Sequence, residues 1–327
     1  MAARVNVEID VRLESDGSPP TMATEVREGL SRPIKQIPSK YFYDRRGSRL
    51  FERITELPEY YLTRAETALL ESRGREIARI TRPVELLEPG AGAATKTRFL
   101  IEAGRAEGTL RRFVPVEVSQ AIAERSAQEL ASRYPGLEVH AVVDDFEHPQ
   151  GEIPRTGRRV VALFGSTIGN YRDLEAVTFL KGLTNWMEDG DWLLLGTDLV
   201  KETELLEAAY NDAEGVTAEF NRNILNVINR YLGGNFDPES FEHVAFYNAE
   251  ESRIESYLRA TRDESVRLEA IDFEVRLDEG ELVWTEVSCK YTRESVERML
   301  ADAGLRLEHW FEGEGEQFAL SLSRLSG

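Results

Sequence analysis

The stretch "VELLEPGAGAATKTRFL", residues 84–100, predicts a buried strand, a sharp turn and the start of a helix. Gly90 and Gly92 form a G-x-G turn, which lets a ligand approach the backbone with no Cβ in the way. The helix that follows presents free N–H groups. Thr95 replaces the third glycine of a dinucleotide-binding G-x-G-x-x-G, so the turn alone is a weak signal for any particular nucleotide.

Apolar strands alternate with helices from residue 84 to about residue 200, which indicates a parallel sheet covered on both faces. A helix over about residues 64–80 leads directly into the first strand. Further helices are predicted after Ala94, over residues 119–134 and from about Asp173. The predicted strands are "VELLE" (84–88), "RFVPVEV" (112–118), "LEVHAVV" (137–143), "RRVVALFG" (158–165) and "DWLLLGTDLV" (191–200).

The segments outside this alternation suggest four parts. Residues 1–20 end in "SDGSPP" and predict a flexible extension. Residues 21–200 combine an N-terminal helical segment with a Rossmann-like core. Residues 201–290 predict an inserted α+β substrate domain, with a hairpin signal in "LDEGEL" (277–282). Residues 291–327 return to the core with a helix and a terminal β-hairpin, an ending typical of S-adenosylmethionine methyltransferases.

Acidic residues outnumber basic ones, 59 to 40, which gives a formal net charge of -19. Such a charge repels phosphate backbones and anionic lipid surfaces, so we expect neither nucleic acid nor a membrane as a partner. No run approaches the ~20 apolar residues that span a bilayer, and the N-terminus has no signal-peptide core. The sequence therefore predicts a cytoplasmic protein, which we expect to be a monomer.

Cysteine and histidine are too sparse for a metal site or an internal disulfide. Cys289 is the only cysteine of the sequence. The four histidines are far apart along the chain, without a cysteine or a carboxylate at ligand spacing. We therefore expect no metal ion.

Acidic side chains stand at the ends of successive predicted strands. Glu88 precedes the Gly turn, Glu117 ends the next strand, and Asp145 follows the third strand beside Phe146. An acid at such a place accepts hydrogen bonds from ribose hydroxyls, and an aromatic ring suits the edge of adenine. A solvated strand end is an equal alternative for each acid alone. Together the acids favour an adenosine site.

Five longer motifs resemble those of the histidine-specific N-α-methyltransferases of ergothioneine biosynthesis, which make hercynine. The resemblance covers about residues 25–325. It implies a class I methyltransferase fold and three methyl transfers from S-adenosylmethionine to the α-amino nitrogen of L-histidine, with S-adenosylhomocysteine as product. The motifs are "YFYDRRGSRLFERITELPEYYLTRAE" from Tyr41, "FGSTIGN" from Phe164, "LLLGTDLVK" from Leu193, "AAYNDAEGVTAEFNRN" from Ala208 and "TEVSCK" from Thr285.

By this resemblance the turn and the strand ends would hold S-adenosylmethionine, with the carboxylate of Glu117 on the ribose. Relatives carry aspartate at this position, so Glu117 departs from the family pattern by one methylene. The implied cofactor-binding residues are Gly90, Gly92, Lys96, Glu117, Asp145 and Phe146.

The resemblance also implies a substrate site. Glu286 and Ser288 lie two apart on a predicted strand and face the same way, which suits the two ring nitrogens of imidazole. Polar alternation on an exposed strand is the plainer alternative. Ser256 stands where relatives have methionine near the imidazole, which predicts a looser ring pocket. The implied substrate-binding residues are Tyr43, Phe51, Tyr60, Asn170, Tyr210, Ser256, Glu286 and Ser288.

Tyr60 and Asn170 are the expected catalytic residues, which would hold the amine unprotonated and in line with the methyl group. The amide of Asn170 and the phenol of Tyr210 suit the α-amino and α-carboxylate groups. Tyr43 and Phe51 would complete an aromatic wall. The alternatives are a helix N-cap for Asn170, a core aromatic for Tyr210 and a packed aromatic for Tyr60.

Three other functions compete with histidine methylation. The same reaction on another aromatic amino acid or a derivative is the closest, although Glu286 would be left unpaired against an apolar ring. A catalytically idle S-adenosylmethionine-binding protein is the second. A nicotinamide oxidoreductase is the third, and the missing third glycine and the terminal hairpin disfavour it.

Overall fold

A computed structural model describes residues 7–13, 19–147, 149, 151–313, 315 and 317–327 of the chain, with the backbone alone for residues 19–21. These residues form nine α-helices and fourteen β-strands. The helices are α1 (Pro19–Leu30), α2 (Arg45–Glu56), α3 (Leu62–Thr81), α4 (Arg98–Ala106), α5 (Gln120–Arg133), α6 (Asp173–Thr184), α7 (Thr203–Ala208), α8 (Val216–Leu232) and α9 (Arg293–Asp302). The strands are β1 (Val7–Val11), β2 (Lys35–Gln36), β3 (Glu85–Pro89), β4 (Arg112–Glu117), β5 (Glu138–Val143), β6 (Arg159–Leu163), β7 (Trp192–Asp198), β8 (Phe241–Asn248), β9 (Arg253–Ala260), β10 (Glu264–Leu268), β11 (Phe273–Leu277), β12 (Leu282–Cys289), β13 (Leu305–Glu312) and β14 (Phe318–Leu325).

The chain divides into two compact units. The first unit contains β1, Arg64–Leu199 and Tyr291–Gly327, and the second contains residues 19–63 and Val200–Lys290. Two of these divisions fall between Leu199 and Val200 and between Lys290 and Tyr291. The N-terminal helical segment, which we expected to belong to the core, instead groups with the inserted segment. The reason is that α2 packs its buried apolar face against α8.

The first unit is built on an eight-stranded sheet in the order β1-β5-β4-β3-β6-β7-β14-β13. Neighbouring strands from β1 to β7 run parallel, whereas β14 is antiparallel to both β7 and β13. Strands β3, β4, β6 and β7 are buried along their whole length, because a doubly wound sheet is covered on both faces. The predicted α/β fold, a class I methyltransferase sheet with a terminal hairpin, is confirmed.

The strand order of the sheet determines where a ligand-binding crevice can lie. The chain winds from β3 outward to β5 on one side and continues with β6 and β7 on the other, so the strand order reverses between β3 and β6. Ligands of such sheets bind beyond the carboxyl ends of the strands at this switch point. The Gly turn follows β3 and therefore lies at this switch point.

The expected flexible extension over residues 1–20 is wrong in part. Strand β1 pairs in parallel with β5 in a register that joins Val7 to Val139. Its alternating apolar residues Val7 and Ile9 pack against the core of the first unit, which is what fixes the strand there. Helix α1 begins at Pro19, two residues before the predicted start. The rest of the predicted extension, residues 1–6 and 14–18, lies outside the described residues.

The second unit contains a four-stranded sheet, in the order β2-β12-β9-β8, and a separate pair of strands, β10 and β11. The hairpin predicted from "LDEGEL" does not form, because β11 pairs with β10 whereas β12 pairs with β9 and β2. The backbone N–H of Glu281 does close a turn on the carbonyl of Asp278, at 2.9 Å. The N–H of Gly280 donates to the carbonyl of Ala260, which ties the turn to the end of β9 and sends the chain into the other sheet.

Candidate active site

The turn after β3 has the backbone conformation that its glycines suggest. Gly90 and Gly92 have φ angles of 66° and 54°, in the left-handed region that glycine adopts without strain. The N–H of Gly90 donates to the carbonyl of Val116 at 2.8 Å, which pins the turn to β4. A Cβ at Gly90 would lie 3.6 Å from the ring of Phe146, whereas a Cβ at Gly92 would meet no atom within 4 Å. The backbone at Gly92 is therefore open to a ligand.

Glu117 lies at the end of β4 and faces the Gly turn. Its buried carboxylate accepts a hydrogen bond from the backbone N–H of Gly92. Burial raises the pKa of Glu117 to about 7, and the hydrogen bond from Gly92 opposes this increase. The longer glutamate side chain therefore reaches the turn, as a ribose-binding acid must. This geometry fits the adenosine portion of S-adenosylmethionine.

Glu88, near the end of β3, has a hydrogen-bond partner within the protein. Its carboxylate accepts a hydrogen bond from the hydroxyl of Thr97, the residue before α4. The side chain is buried, and this burial raises the pKa of Glu88 to about 8. The sequence marked Glu88 as part of an adenosine site, but its contact stabilises the passage from the turn into the helix.

Lys96 forms an ion pair with Glu66 of α3, a residue that the sequence did not single out. The two carboxylate oxygens of Glu66 also accept the N–H of Gly165, at 2.8 and 2.9 Å. A Cβ at Gly196 would overlap this carboxylate and displace it. Glu66 thus connects the loop after β3 to the loop after β6. The sequence does contain one signal for Glu66, which is an acid within the apolar face of the predicted helix "RAETALL" (64–70).

An aromatic group follows β5. The ring of Phe146 meets that of Phe179 edge-on, with centroids 6.2 Å apart, and Phe179 stacks on Tyr171 at 4.6 Å. The carboxylate of Asp145 accepts the backbone N–H of Glu147 at 2.9 Å, which orders the loop. The sequence identified Asp145 and Phe146 but missed the two supporting rings.

Asn170 ends a short 3-10 helix (Thr167–Asn170) that follows β6. The alternative role of helix N-cap is excluded, because the residue before α6 is Arg172. The side chain of Asn170 is half-buried and makes no hydrogen bond within the described part of the chain. Its amide is therefore available to a ligand at the carboxyl edge of the sheet.

In the second unit, Ser256 on β9 lies opposite Glu286 on β12. The hydroxyl of Ser256 is 3.3 Å from a carboxylate oxygen of Glu286, to which it donates. Burial raises the pKa of Glu286 to about 7, while Ser256 and the charge of Lys290 oppose this increase. The smaller side chain at position 256 therefore adds a hydrogen bond to the acid, an effect that the expectation of a looser pocket did not include.

Ser288 lies two residues after Glu286 on β12. It belongs to a buried polar triplet with Tyr210 and Lys290. The phenol of Tyr210 donates to the hydroxyl of Ser288 at 2.7 Å. The ammonium of Lys290 donates to Ser288 at 2.8 Å and to Tyr210 at 3.1 Å. Tyr210 is thus a buried aromatic with a fully engaged polar end. Lys290 was missed, although it is the last residue of the motif "TEVSCK".

An aromatic wall stands in the same unit. The rings of Tyr43 and Phe51 are 5.6 Å apart, and Phe51 lies 6.3 Å from Tyr60. Phe220 of α8, which the sequence did not suggest, contacts both Tyr43 and Phe51. Desolvation of the phenol by the groups around it, and then the charges of Glu286 and Tyr210, raise the pKa of Tyr43, while part of its side chain stays exposed. The wall therefore adjoins the polar face of β12.

Two further features of the described residues bear on function. They contain no group of three or more His, Cys, Asp or Glu side chains arranged to hold a metal ion. In that same part of the chain, no helix has both the length and the apolar character needed to cross a bilayer.

The sheet order and the Gly turn define a class I S-adenosylmethionine-dependent methyltransferase. A family model described as "Histidine-specific methyltransferase, SAM-dependent" matches residues 22–325, and the chain belongs to this family.

Relatives agree with this assignment. The histidine N-alpha-methyltransferase of Mycolicibacterium smegmatis is 46% identical over 311 residues, which cover 95% of this chain and 97% of the relative. The protein of the same name from Mycobacterium tuberculosis is 46% identical over 319 residues, which cover 98% and 99%. An L-tryptophan methyltransferase from Psilocybe serbica is 27% identical, and the match covers 98% of each chain.

Proposed function

We propose that the protein transfers three methyl groups from S-adenosylmethionine to the α-amino nitrogen of L-histidine, giving hercynine for ergothioneine biosynthesis. The observation that carries the proposal is the pair Glu286 and Ser288 on β12. An acid and a hydroxyl, each held by its own hydrogen-bond partner, match the two ring nitrogens of a neutral imidazole. The names of the two relatives at 46% identity support the same substrate.

The cofactor would be held by the Gly turn and the strand ends. Gly90 and Gly92 bring the backbone close to it, Glu117 accepts from the ribose, and Phe146 lies against the adenine, with Asp145 beside it. Lys96 contributes through its ion pair with Glu66. When bound, S-adenosylmethionine supplies an electrophilic methyl group on a sulfonium.

Tyr60 and Asn170 would hold the α-amine as the free base. The lone pair on nitrogen must be free to attack, so a proton leaves to water before each transfer. Alignment of nitrogen, methyl carbon and sulfur is the main task, and such positioning contributes ~7 to 11 kcal/mol. The growing trimethylammonium group can rest against Phe51 or Tyr60, with a cation–π attraction of ~0.5 to 2 kcal/mol.

Tyr210 and Tyr43 would complete the substrate site. Tyr210 holds the ammonium of Lys290 at 3.1 Å from its phenol oxygen, and the positive charge of that ammonium favours an anionic group such as the α-carboxylate nearby. Tyr43 extends the aromatic wall next to Glu286, and Ser256 orients that acid. All eight substrate-binding residues thereby receive a role that a variant can test.

The closest rival is transfer to another aromatic amino acid, and the tryptophan-named relative makes it concrete. An indole has one N–H and no ring nitrogen that accepts. It could donate to Glu286, but it would leave the hydroxyl of Ser288 without an acceptor. The hydrogen bond from Ser256 holds the carboxylate of Glu286 in place, which fits an acid that recognises the substrate ring.

The decisive experiment is mass spectrometry of the purified protein incubated with S-adenosylmethionine and each of the twenty amino acids separately. Trimethylated product from L-histidine alone supports the proposal. Methylation of tryptophan or tyrosine instead would keep the methyltransferase and overturn the assigned substrate. Binding of S-adenosylmethionine without any product would favour the idle binder. The monomeric state and the cytoplasmic location stay predictions.

A further inference from the structure

Lys290 is a buried cation with an unusual set of contacts. It directly follows β12, two residues after Ser288, and its ammonium contacts the hydroxyl of that serine. Lys290 is 3% exposed, and its ammonium stands 4.9 Å from the centre of the Tyr210 ring. Burying an ammonium is costly, which argues that the residue does more than fill space.

The contacts of Ser288 determine where its own hydrogen points. A serine hydroxyl has one hydrogen and two lone pairs. Ser288 accepts from Lys290 at 2.8 Å and from Tyr210 at 2.7 Å, so both lone pairs are engaged. With Tyr210 as the donor, the structure shows no other acceptor for the Ser288 hydrogen among the residues that it describes. The hydroxyl is left as a donor, and the nearby ammonium polarises it further.

A donor at Ser288 and an acceptor at Glu286 distinguish the forms of an imidazole ring. The neutral ring has one protonated and one unprotonated nitrogen, whereas both nitrogens of the cationic ring are donors. The neutral ring can satisfy both residues, with its unprotonated nitrogen toward Ser288. The cationic ring would point an N–H at a donor and lie close to a second cation. The titratable groups around this pair are Tyr43, Tyr210, Glu286 and Lys290.

We propose that Lys290 is a specificity-determining positioning residue that holds Ser288 as a hydrogen-bond donor, so that the site selects neutral imidazole in a single tautomer. This inference rests on the proposed function and adds to it which form of histidine is taken. The ammonium acts through Ser288 and does not touch the reacting atoms. The reverse direction, in which Ser288 donates to Tyr210, would require the cationic ring.

The test is a 15N NMR spectrum of ring-labelled L-histidine bound to the protein with S-adenosylhomocysteine. The spectrum is recorded at pH 6, where free histidine, with a side-chain pKa of about 6.5, is mostly cationic. We expect one protonated and one unprotonated ring nitrogen in the wild-type complex. With Lys290→Met the protonated ring should appear at the same pH. Two protonated nitrogens in the wild-type complex would overturn the proposal.

Kinetics supply the second readout. Lys290→Met should raise the KM for histidine about 10- to 100-fold while kcat changes less than about threefold, because a recognition contact is lost and not the chemistry. Ser288→Ala should have a similar effect, and the double variant should add little. Fully additive effects would show that Lys290 does not act through Ser288. Lys181→Met, a change at an exposed lysine of α6, is the matched control.

Two controls separate this proposal from the function beneath it. Unchanged affinity of Lys290→Met for S-adenosylmethionine and an unchanged melting temperature exclude simple misfolding. If the wild-type protein does not methylate histidine, the proposed function fails. If it does, and bound histidine is cationic, only the role of Lys290 fails.

Discussion

The two units place their polar groups by different physical means. Around the Gly turn, the first unit uses backbone: Glu117 is held by the N–H of Gly92, and the turn is pinned to β4. Along β12, the second unit uses side chains held by other side chains. Ser256 supports Glu286, while Tyr210 and Lys290 support Ser288.

The two acids show what this difference means. Burial raises the pKa of both Glu117 and Glu286 to about 7. The backbone N–H that supports Glu117 exists whatever residue occupies position 92, apart from proline. The hydroxyl that supports Glu286 disappears with one substitution at Ser256. In the proposed function the first unit is the cofactor half and the second unit is the substrate half. The substrate half can lose the support of its acid with the side chain of Ser256, whereas the cofactor half loses the support of Glu117 only through backbone strain at position 92.

The largest expected effect tests the substrate half alone. Glu286→Ala removes the acceptor for the ring N–H, and we expect the KM for histidine to rise about 100-fold, the usual cost of losing a charged hydrogen bond. Affinity for S-adenosylmethionine, measured by calorimetry, should not change. Glu251→Ala, at an exposed turn of the same unit, is the control. A parallel loss of cofactor affinity would break the comparison.

Tyr60→Phe tests the chemical step. The ring remains in the aromatic wall while the phenol is lost, so we expect kcat to fall about 10-fold or more, with an altered ratio of mono-, di- and trimethylated products. Time-resolved mass spectrometry measures both quantities. Tyr231→Phe, at an exposed residue of α8, should leave both unchanged. Wild-type kinetics and product ratios in Tyr60→Phe would contradict its assigned role.

Gly92→Ala tests the cofactor half. The added Cβ meets no atom within 4 Å, so the cost is the left-handed backbone alone, ~1 to 2 kcal/mol. We expect up to about 10-fold weaker binding of S-adenosylmethionine, with an unchanged KM for histidine. Gly136→Ala carries the same type of strain in the turn before β5. It should lower the melting temperature but not the cofactor affinity.

The smallest effect sharpens the contrast between the two acids. The ionised form of Glu286 accepts the ring N–H more strongly than the protonated form, so affinity for histidine should fall as the pH drops through about 7. Ser256 stabilises the ionised form, and Ser256→Ala should raise the pKa of Glu286 and move this loss to higher pH. At pH 7 we expect an increase of about two- to fivefold in KM. A KM–pH profile identical to wild type would show that the hydrogen bond contributes nothing to recognition.

The sequence predicted the first unit well because one local signal repeats there. Each strand of the parallel sheet is a short apolar run that ends at the same edge, so the sequence alone predicts that Gly90, Glu117 and Asp145 lie at that edge, where the structure also has them. The role of Glu66 was not predicted, because its partners Lys96 and Gly165 are far away in the chain. No local pattern marks such a contact.

The second unit was predicted less completely for a related reason. Its strands alternate, but alternation does not reveal which strand pairs with which, and "LDEGEL" was therefore assigned to a hairpin that does not form. The support of Ser256 for Glu286 depends on the register between β9 and β12. Lys290 looked like an ordinary polar residue at the end of a strand, because a buried ammonium has no signature in one sequence.

Strand β1 forms one edge of the eight-stranded sheet and covers β5. Without Val7–Val11, β5 would be an edge strand with unpaired backbone groups, and such edges invite pairing with other chains. The loop that carries Asp145 and Phe146 leaves that same strand. Val7–Val11 thus move the exposed edge of the sheet from β5 to β1, away from the strand that carries this loop.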